Sequence, residues 1–204
     1  MNRTNSHIKF LRLMSPLLLV SMLLATLTVR AETVWDMDQL MKSLATSRSG
    51  SASFVEKKSI AMLDKPVESS GELLYNAPDH LEKRTLKPKA ESMVLDKNTL
   101  TVEQRGKKHV LSLQNYPEIA AFIESIRGTL AGDRKALERT YKLSMEGDEQ
   151  SWNLTLLPLE DKMKKVVAKI NIAGAGNVLR TIEIKQADGD SSLMTITPAS
   201  LPAP

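Results

Sequence analysis

The chain has 204 residues, with 28 Lys and Arg against 24 Asp and Glu, three His, eight aromatic residues and no Cys. That length suits one domain, and the missing Cys excludes a disulfide scaffold, a thiol nucleophile, thiolate zinc sites and iron–sulfur clusters together. The basic excess lies wholly in residues 1–31, which carry Arg3, Lys9, Arg12 and Arg30 and no acid. The remainder is charge-balanced, unlike a basic nucleic-acid-binding domain.

Arg3, Lys9 and Arg12 precede an apolar stretch from Leu13 to Ala25, and Val29-Arg30-Ala31 then offers a small-residue cleavage site. This is the pattern of a secretory signal peptide. Ser15-Pro16 and Ser21 interrupt the apolar run and leave it short of a membrane anchor. Residues 1–31 are therefore expected to be removed, leaving 32–204 as one exported domain that begins at Glu32. With no twin-arginine pair and no Cys to take a lipid, ordinary export to the periplasm as a soluble protein is expected.

Met37, Leu40, Met41 and Leu44 stand at helical spacing and predict an amphipathic first helix. Arg48–Ser53 reads as the break after it. Alternation and turn residues then predict strands at 53–62, 68–76, 80–87, 91–96, 99–104 and 107–113, with tight turns at Lys97-Asn98 and Arg105-Gly106. Asn115-Tyr116-Pro117-Glu118 signals a helix start. Tyr116, Ile119, Ile123, Ile126 and Leu130 step by three and four, which places them on one stripe. Gly132 stops this helix, and Arg134–Arg139 adds a further helical turn. Strands at 140–146, 151–157, 166–173, 178–187 and 192–197 follow. Gly147-Asp148, Gly174–Asn177 and Asp188-Gly189 are the turns between them, and 198–204 reads as a loose Pro/Ala-rich tail. About eleven strands in one meander, with few crossover helices, predict an α+β plan built on an antiparallel sheet or open barrel.

Period two puts Leu73 with Tyr75, Leu111 with Leu113, Trp152 with Leu154 and Leu156, Ile170 with Ile172, and Ile182 with Ile184 on dry faces. A packed core and an apolar ligand cavity are both compatible with that pattern. Residues 32–204 hold seven aromatics and seven Met, so an aliphatic, Met-containing lining would adapt better to acyl chains than to sugars or bases.

The catalytic inventory is sparse. His80 and His109 are the only His after residue 31, and no nucleophile-elbow, zinc-protease, P-loop or calcium-loop motif is present. No cofactor or metal is expected, and the chain reads as a non-enzyme. A small hydrolase using His80 or His109 is the remotest alternative. The clusters Lys83-Arg84-Lys87-Lys89 and Lys162-Lys164-Lys165 read as solvated faces and edge protection. Without interleaved aromatics they do not suggest nucleic acid.

Ser51–Lys57 (Ser-Ala-Ser-Phe-Val-Glu-Lys), Gly71–Leu81 (Gly-Glu-Leu-Leu-Tyr-Asn-Ala-Pro-Asp-His-Leu) and Ser92–Val102 follow the amphipathic first helix in that order. Over roughly residues 33–197 the chain thereby resembles the LolA family of periplasmic outer-membrane lipoprotein carriers. The resemblance implies an incomplete, strongly curved antiparallel β-barrel with helices closing an apolar cavity for acyl chains. It also implies a non-catalytic carrier of a lipidated cargo, a lipoprotein or another lipid-linked product. An inner-membrane export complex would be the donor and an outer-membrane protein the acceptor. Joined to the period-two faces, it gives an expected cargo cavity of Phe54, Leu73, Tyr75, Leu81, Met93, Leu95, Leu111, Leu113, Trp152 and Leu154. The expected lid is the helix bearing Ile119, Ile123, Ile126 and Leu130. The family's lid-locking arginine, placed just before the signature proline, is replaced here by Ala77, and the aromatic expected at Leu81 is missing. A periplasmic lipid-sensing regulator of the same fold is the alternative reading, and the expected state is a monomer.

Overall fold

The computed structural model describes residues 35–199. The Asp36 carboxylate accepts a hydrogen bond from the Gln39 N–H at 2.9 Å and so starts α1 (Met37–Leu44), which buries Leu40, Met41 and Leu44. Six strands follow: β1 (Ser49–Ser59), β2 (Val67–Asn76), β3 (His80–Lys87), β4 (Glu91–Asp96), β5 (Thr99–Gln104) and β6 (Lys107–Ser112). A 3-10 turn (Leu113–Asn115) leads into α2 (Pro117–Ala131) and α3 (Arg134–Thr140). The chain closes with β7 (Tyr141–Gly147), β8 (Trp152–Pro158), α4 (Asp161–Lys164), β9 (Val167–Ala175), β10 (Val178–Gln186) and β11 (Ser191–Pro198).

All eleven strands join one antiparallel sheet in the order β6-β5-β4-β3-β2-β1-β11-β10-β9-β8-β7. Two meanders meet where β1 pairs with β11, with Phe54 opposite Ile196. The sheet is strongly curved but not closed, with β6 and β7 as its edges. The segment carrying α2 and α3 crosses from one edge to the other. The α+β plan and the incomplete barrel both agree with expectation.

Several local readings are corrected. Ser49–Ala52 is strand, not a break, because its backbone pairs with Leu73–Asn76 of β2. Leu113 lies in the 3-10 turn and not in a strand. Gly174 is a strand residue, paired with Leu179 of β10 and Trp152 of β8, and it has to be Gly because a Cβ there would come within 2.5 Å of the Trp152 ring. The short α4 was not anticipated, and Pro198 ends β11 opposite Ala52 rather than opening the tail. The proposed signal peptide and residues 200–204 lie outside the described residues. Among the described residues no helix is long and apolar enough to cross a membrane.

The buried apolar side chains fall into two groups. The larger joins α1, α3 and α4 to β7–β11 through Leu40, Leu44, Leu137, Trp152, Leu154, Leu156, Ile170 and Ile172. The smaller holds Leu95, Leu100 and Leu113, with Leu81, Val102, Leu111, Ile119, Ala120 and Ile123 partly buried around them. Helix α2 belongs to both.

Candidate functional site

Strand register sets the inner face. Leu100, Leu95, Leu81 and Tyr75 lie in one cross-strand row, and Val102, Met93, Lys83, Leu73 and Ala52 form the next. The row beyond runs Gln104, Glu91, Thr85, Gly71, Phe54 and Ile196. Toward the hairpin tips, the β2–β6 half of this face therefore changes from apolar to polar.

The expected cavity residues divide between the two groups. Leu81, Leu95, Leu111 and Leu113 come together beneath Ile119 and Ile123. Trp152, Leu154 and Leu73 pack in the larger core with Ile126 and Leu130. Phe54 and Tyr75 are buried, and Met93 is partly buried between Lys83 and Val102. The Tyr75 hydroxyl is buried with no hydrogen-bond partner among the described residues. Its pKa is raised, chiefly by burial.

Helix α2 turns an unexpected face inward. Its buried residues are Ser125, Gly128 and Thr129, whereas Ile119, Ile123, Ile126 and Leu130 are only partly buried. Thr129 satisfies its hydroxyl on the Ser125 carbonyl and Ser125 on the Phe122 carbonyl, both at 2.6 Å. The Tyr141 hydroxyl donates to the Ala121 carbonyl at 3.0 Å, and burial pushes its pKa up to about 12. Gly132 in the left-handed region ends the helix. Tyr116, expected on the apolar stripe, caps the helix from outside and is exposed. Thus the small-residue face of α2, its hydroxyls satisfied within the helix, packs closely on α3, where a Cβ at Gly128 would meet the Leu137 side chain at 2.8 Å, and the aliphatic stripe is left incompletely covered.

Sequence reading missed the polar centre of the inner face. Glu56 is 8% exposed. Lys83 Nζ donates to its Oε2 and Ser192 Oγ to its Oε1, each at 2.6 Å. The Lys83 ammonium also lies 5.0 Å from the Phe54 ring centroid, within cation–π range. Phe54 can lie this low because Gly71 has no side chain: a Cβ there would come within 3.0 Å of the ring and 1.8 Å of the Arg84 carbonyl oxygen. Lys83 is therefore not part of a solvated basic face. Parity was the available signal, because Glu56 follows Phe54 and Lys83 follows Leu81 by two.

Burial alone would raise the Glu56 pKa, but the Lys83 and Ser192 hydrogen bonds and the Lys83 charge outweigh it and hold it below the ordinary 4.5. The bound carboxylate therefore stabilises the fold above pH 4.5, and this contribution disappears as pH falls through its lowered value. Lys83→Met should cost about 2 kcal/mol at pH 7, because it strands a largely buried carboxylate on Ser192 alone. It should also flatten the acid limb. Urea unfolding at pH 7 and below pH 4.5 measures both; an unchanged acid slope would assign the sensitivity to other carboxylates.

His80 Nε2 lies 3.0 Å from Glu82 Oε1, and His109 is exposed on edge strand β6. Neither has a hydroxyl nucleophile among its hydrogen-bond partners in the described residues. Ala77 is partly buried and donates its N–H to the Arg48 carbonyl. Arg127 adds a polar tie between α2 and the β2–β6 half: its Nη1 donates to the Lys97 carbonyl in the β4–β5 turn at 3.2 Å. Glu124 holds the same guanidinium.

The family model described as outer membrane lipoprotein carrier protein LolA-like matches residues 29–203. The chain belongs to this LolA-like family. Among curated proteins none matches the sequence. Solved structures similar to this LolA-like chain include a LolA superfamily protein from Nitrosomonas europaea, at 11% identity and TM-score 0.44, covering 82% of this chain and 95% of that one. The MucA/MucB complex of Pseudomonas aeruginosa gives 11% identity and TM-score 0.48 over 82% of this chain and 58% of that one. Lipoprotein LppX of Mycobacterium tuberculosis gives 9% identity and TM-score 0.43 over 79% and 93%. With these TM-scores below 0.5, the family assignment rests on the sequence match.

Proposed function

We propose that this LolA-like protein is a periplasmic, non-catalytic carrier that shields the acyl chains of a lipidated cargo between α2 and the β2–β6 half of the sheet. A cargo with ~14 methylenes carries on the order of 10 kcal/mol of transfer penalty in water, at ~0.8 kcal/mol each. Crossing an aqueous compartment therefore requires an enclosure. The observation that carries the reading is the orientation of α2: Ser125, Gly128 and Thr129 are buried against its neighbours while its aliphatic stripe remains partly open above Leu81, Leu95 and Leu111.

In this reading cargo enters by parting Ile119 and Ile123 from the smaller apolar group, and the larger core stays intact. Arg127 serves as the latch that Ala77 cannot provide. Tyr75 meets an ester or amide carbonyl of the acyl linkage. An inner-membrane export complex loads the carrier and an outer-membrane acceptor unloads it, as the family's carriers imply, and the carrier works as a monomer exported after cleavage at Ala31.

Ile123→Asp tests the proposal. A partly open site should lose less than about 2 kcal/mol of stability, below the cost of a fully buried unpaired charge. Affinity for a fluorescent acyl probe should fall at least about tenfold, because the charge would have to desolvate against the chain. Loss of 3 kcal/mol or more, with no separable binding defect, would make the face a packed core and sink the carrier.

A further inference from the structure

The polar end of the inner face forms a cavity of about 200 Å³, lined by Glu56, Lys58, Lys83, Lys89, Glu91 and Gln104 among others. Its volume corresponds to about seven waters, room for a phosphate with a small alcohol. The cavity lies at the hairpin-tip end of the sheet. Lys58 and Val67 border the β1–β2 connection, and Pro88 and Lys89 belong to the β3–β4 connection. From Leu95 to Glu91 along β4 is four residues, roughly 13 Å at ~3.3 Å each. An amphiphile on this face would thus have an apolar floor at one end and charged groups at the other.

We propose that this cavity is a headgroup site for a phosphate-bearing amphiphile, with Lys58 and Lys89 holding the phosphate. The proposal rests on the carrier reading and specifies its cargo class. The charges within the cavity are unequally committed. Glu56 is already bound by Lys83 and Ser192, and Glu91 accepts from Gln104 Nε2 at 2.7 Å. Among the described residues neither Lys58 nor Lys89 forms an ion pair. Lys58, Lys83 and Lys89 outnumber Glu56 and Glu91 in the lining, and this excess of one positive charge favours an anion; charge-assisted hydrogen bonds to phosphate are among the stronger polar contacts. The remaining lone pairs of Glu91 can accept from a headgroup hydroxyl. The Glu56–Lys83–Ser192 cluster keeps the floor rigid between the acyl and headgroup regions.

The test is displacement of an acyl probe at low salt by three compounds: a lysophosphatidylglycerol, the monoacylglycerol of the same chain length, and glycerol phosphate alone. The lysophospholipid should bind about tenfold more tightly than the monoacylglycerol. In a Lys58→Gln/Lys89→Gln double variant, shown to be folded by its unfolding midpoint, that ratio should fall toward one. Equal affinities in the unmodified protein would overturn the headgroup site while leaving the carrier reading intact. So would a ratio that survives in the double variant. Glycerol phosphate binding as tightly as the lysophospholipid would make this a soluble-phosphate site instead. Binding of no acyl compound at all would overturn both readings.

Discussion

Leu154→Ala is expected to lower stability by about 4 kcal/mol, with a fall in Tm of about 10 °C, and to leave acyl-probe affinity unchanged in the protein that remains folded. Leu154 is 0% exposed and stands between Met145 and Ile172 in the ladder of β7, β8 and β9. The ring of Trp152 covers Gly174 on the same face. Neighbours this closely packed cannot collapse far into the space left by four heavy atoms reduced to one, so both transfer and cavity terms apply. The analogous Leu111→Ala lies on the mostly exposed β6, where Leu111 alone is partly buried within the smaller apolar group, and should cost only about 1 kcal/mol. Calorimetry of the two variants compares them directly. Equal losses would mean that the two groups fold as one core, with no separate surface for cargo.

The difference follows from how the helices are distributed. α1, α3 and α4 cover the β7–β11 half, where Leu40, Leu44, Leu137 and Met163 complete the burial of Leu154, Leu156, Ile170 and Ile172. Among the described residues, the β2–β6 half is covered only by Ile119, Ala120 and Ile123 of α2 and the 3-10 turn before it. In the carrier reading, free energy of folding therefore concentrates on one side of the molecule, and the other opens at lower cost.

Much of this was legible in the chain. All eleven strands were recognised from alternation and turn residues, because the antiparallel sheet keeps one dry face and most hairpins carry Gly, Asn or Asp. The stop of α2 at Gly132 was equally plain. Ser49–Ala52 was misread because Ser and Gly signal a turn locally, whereas the pairing that makes them strand comes from Leu73–Asn76, more than twenty residues away. The Glu56–Lys83–Ser192 cluster was missed for a related reason. Composition marks Lys83 as one of a basic run, and only the registers of β1 with β11 and of β2 with β3 place these three side chains on a common inner face. The partial covering of the α2 stripe also exceeded what periodicity can give. A period of three and four identifies an apolar face but does not say whether the facing surface fills it.

Fixing α2 to the sheet tests the carrier account most directly. The sequence has no Cys, so Ile123→Cys with Val102→Cys introduces a single reactive pair, both partly buried against the smaller apolar group. A short bis-maleimide cleavable by reductant would then hold α2 against β5. The account predicts that the linked protein loses acyl-probe binding, keeps its unfolding midpoint or raises it, and regains binding when the linker is cleaved. Undiminished binding by the fully linked protein would contradict it, because cargo would then occupy a place that does not require α2 and β5 to part.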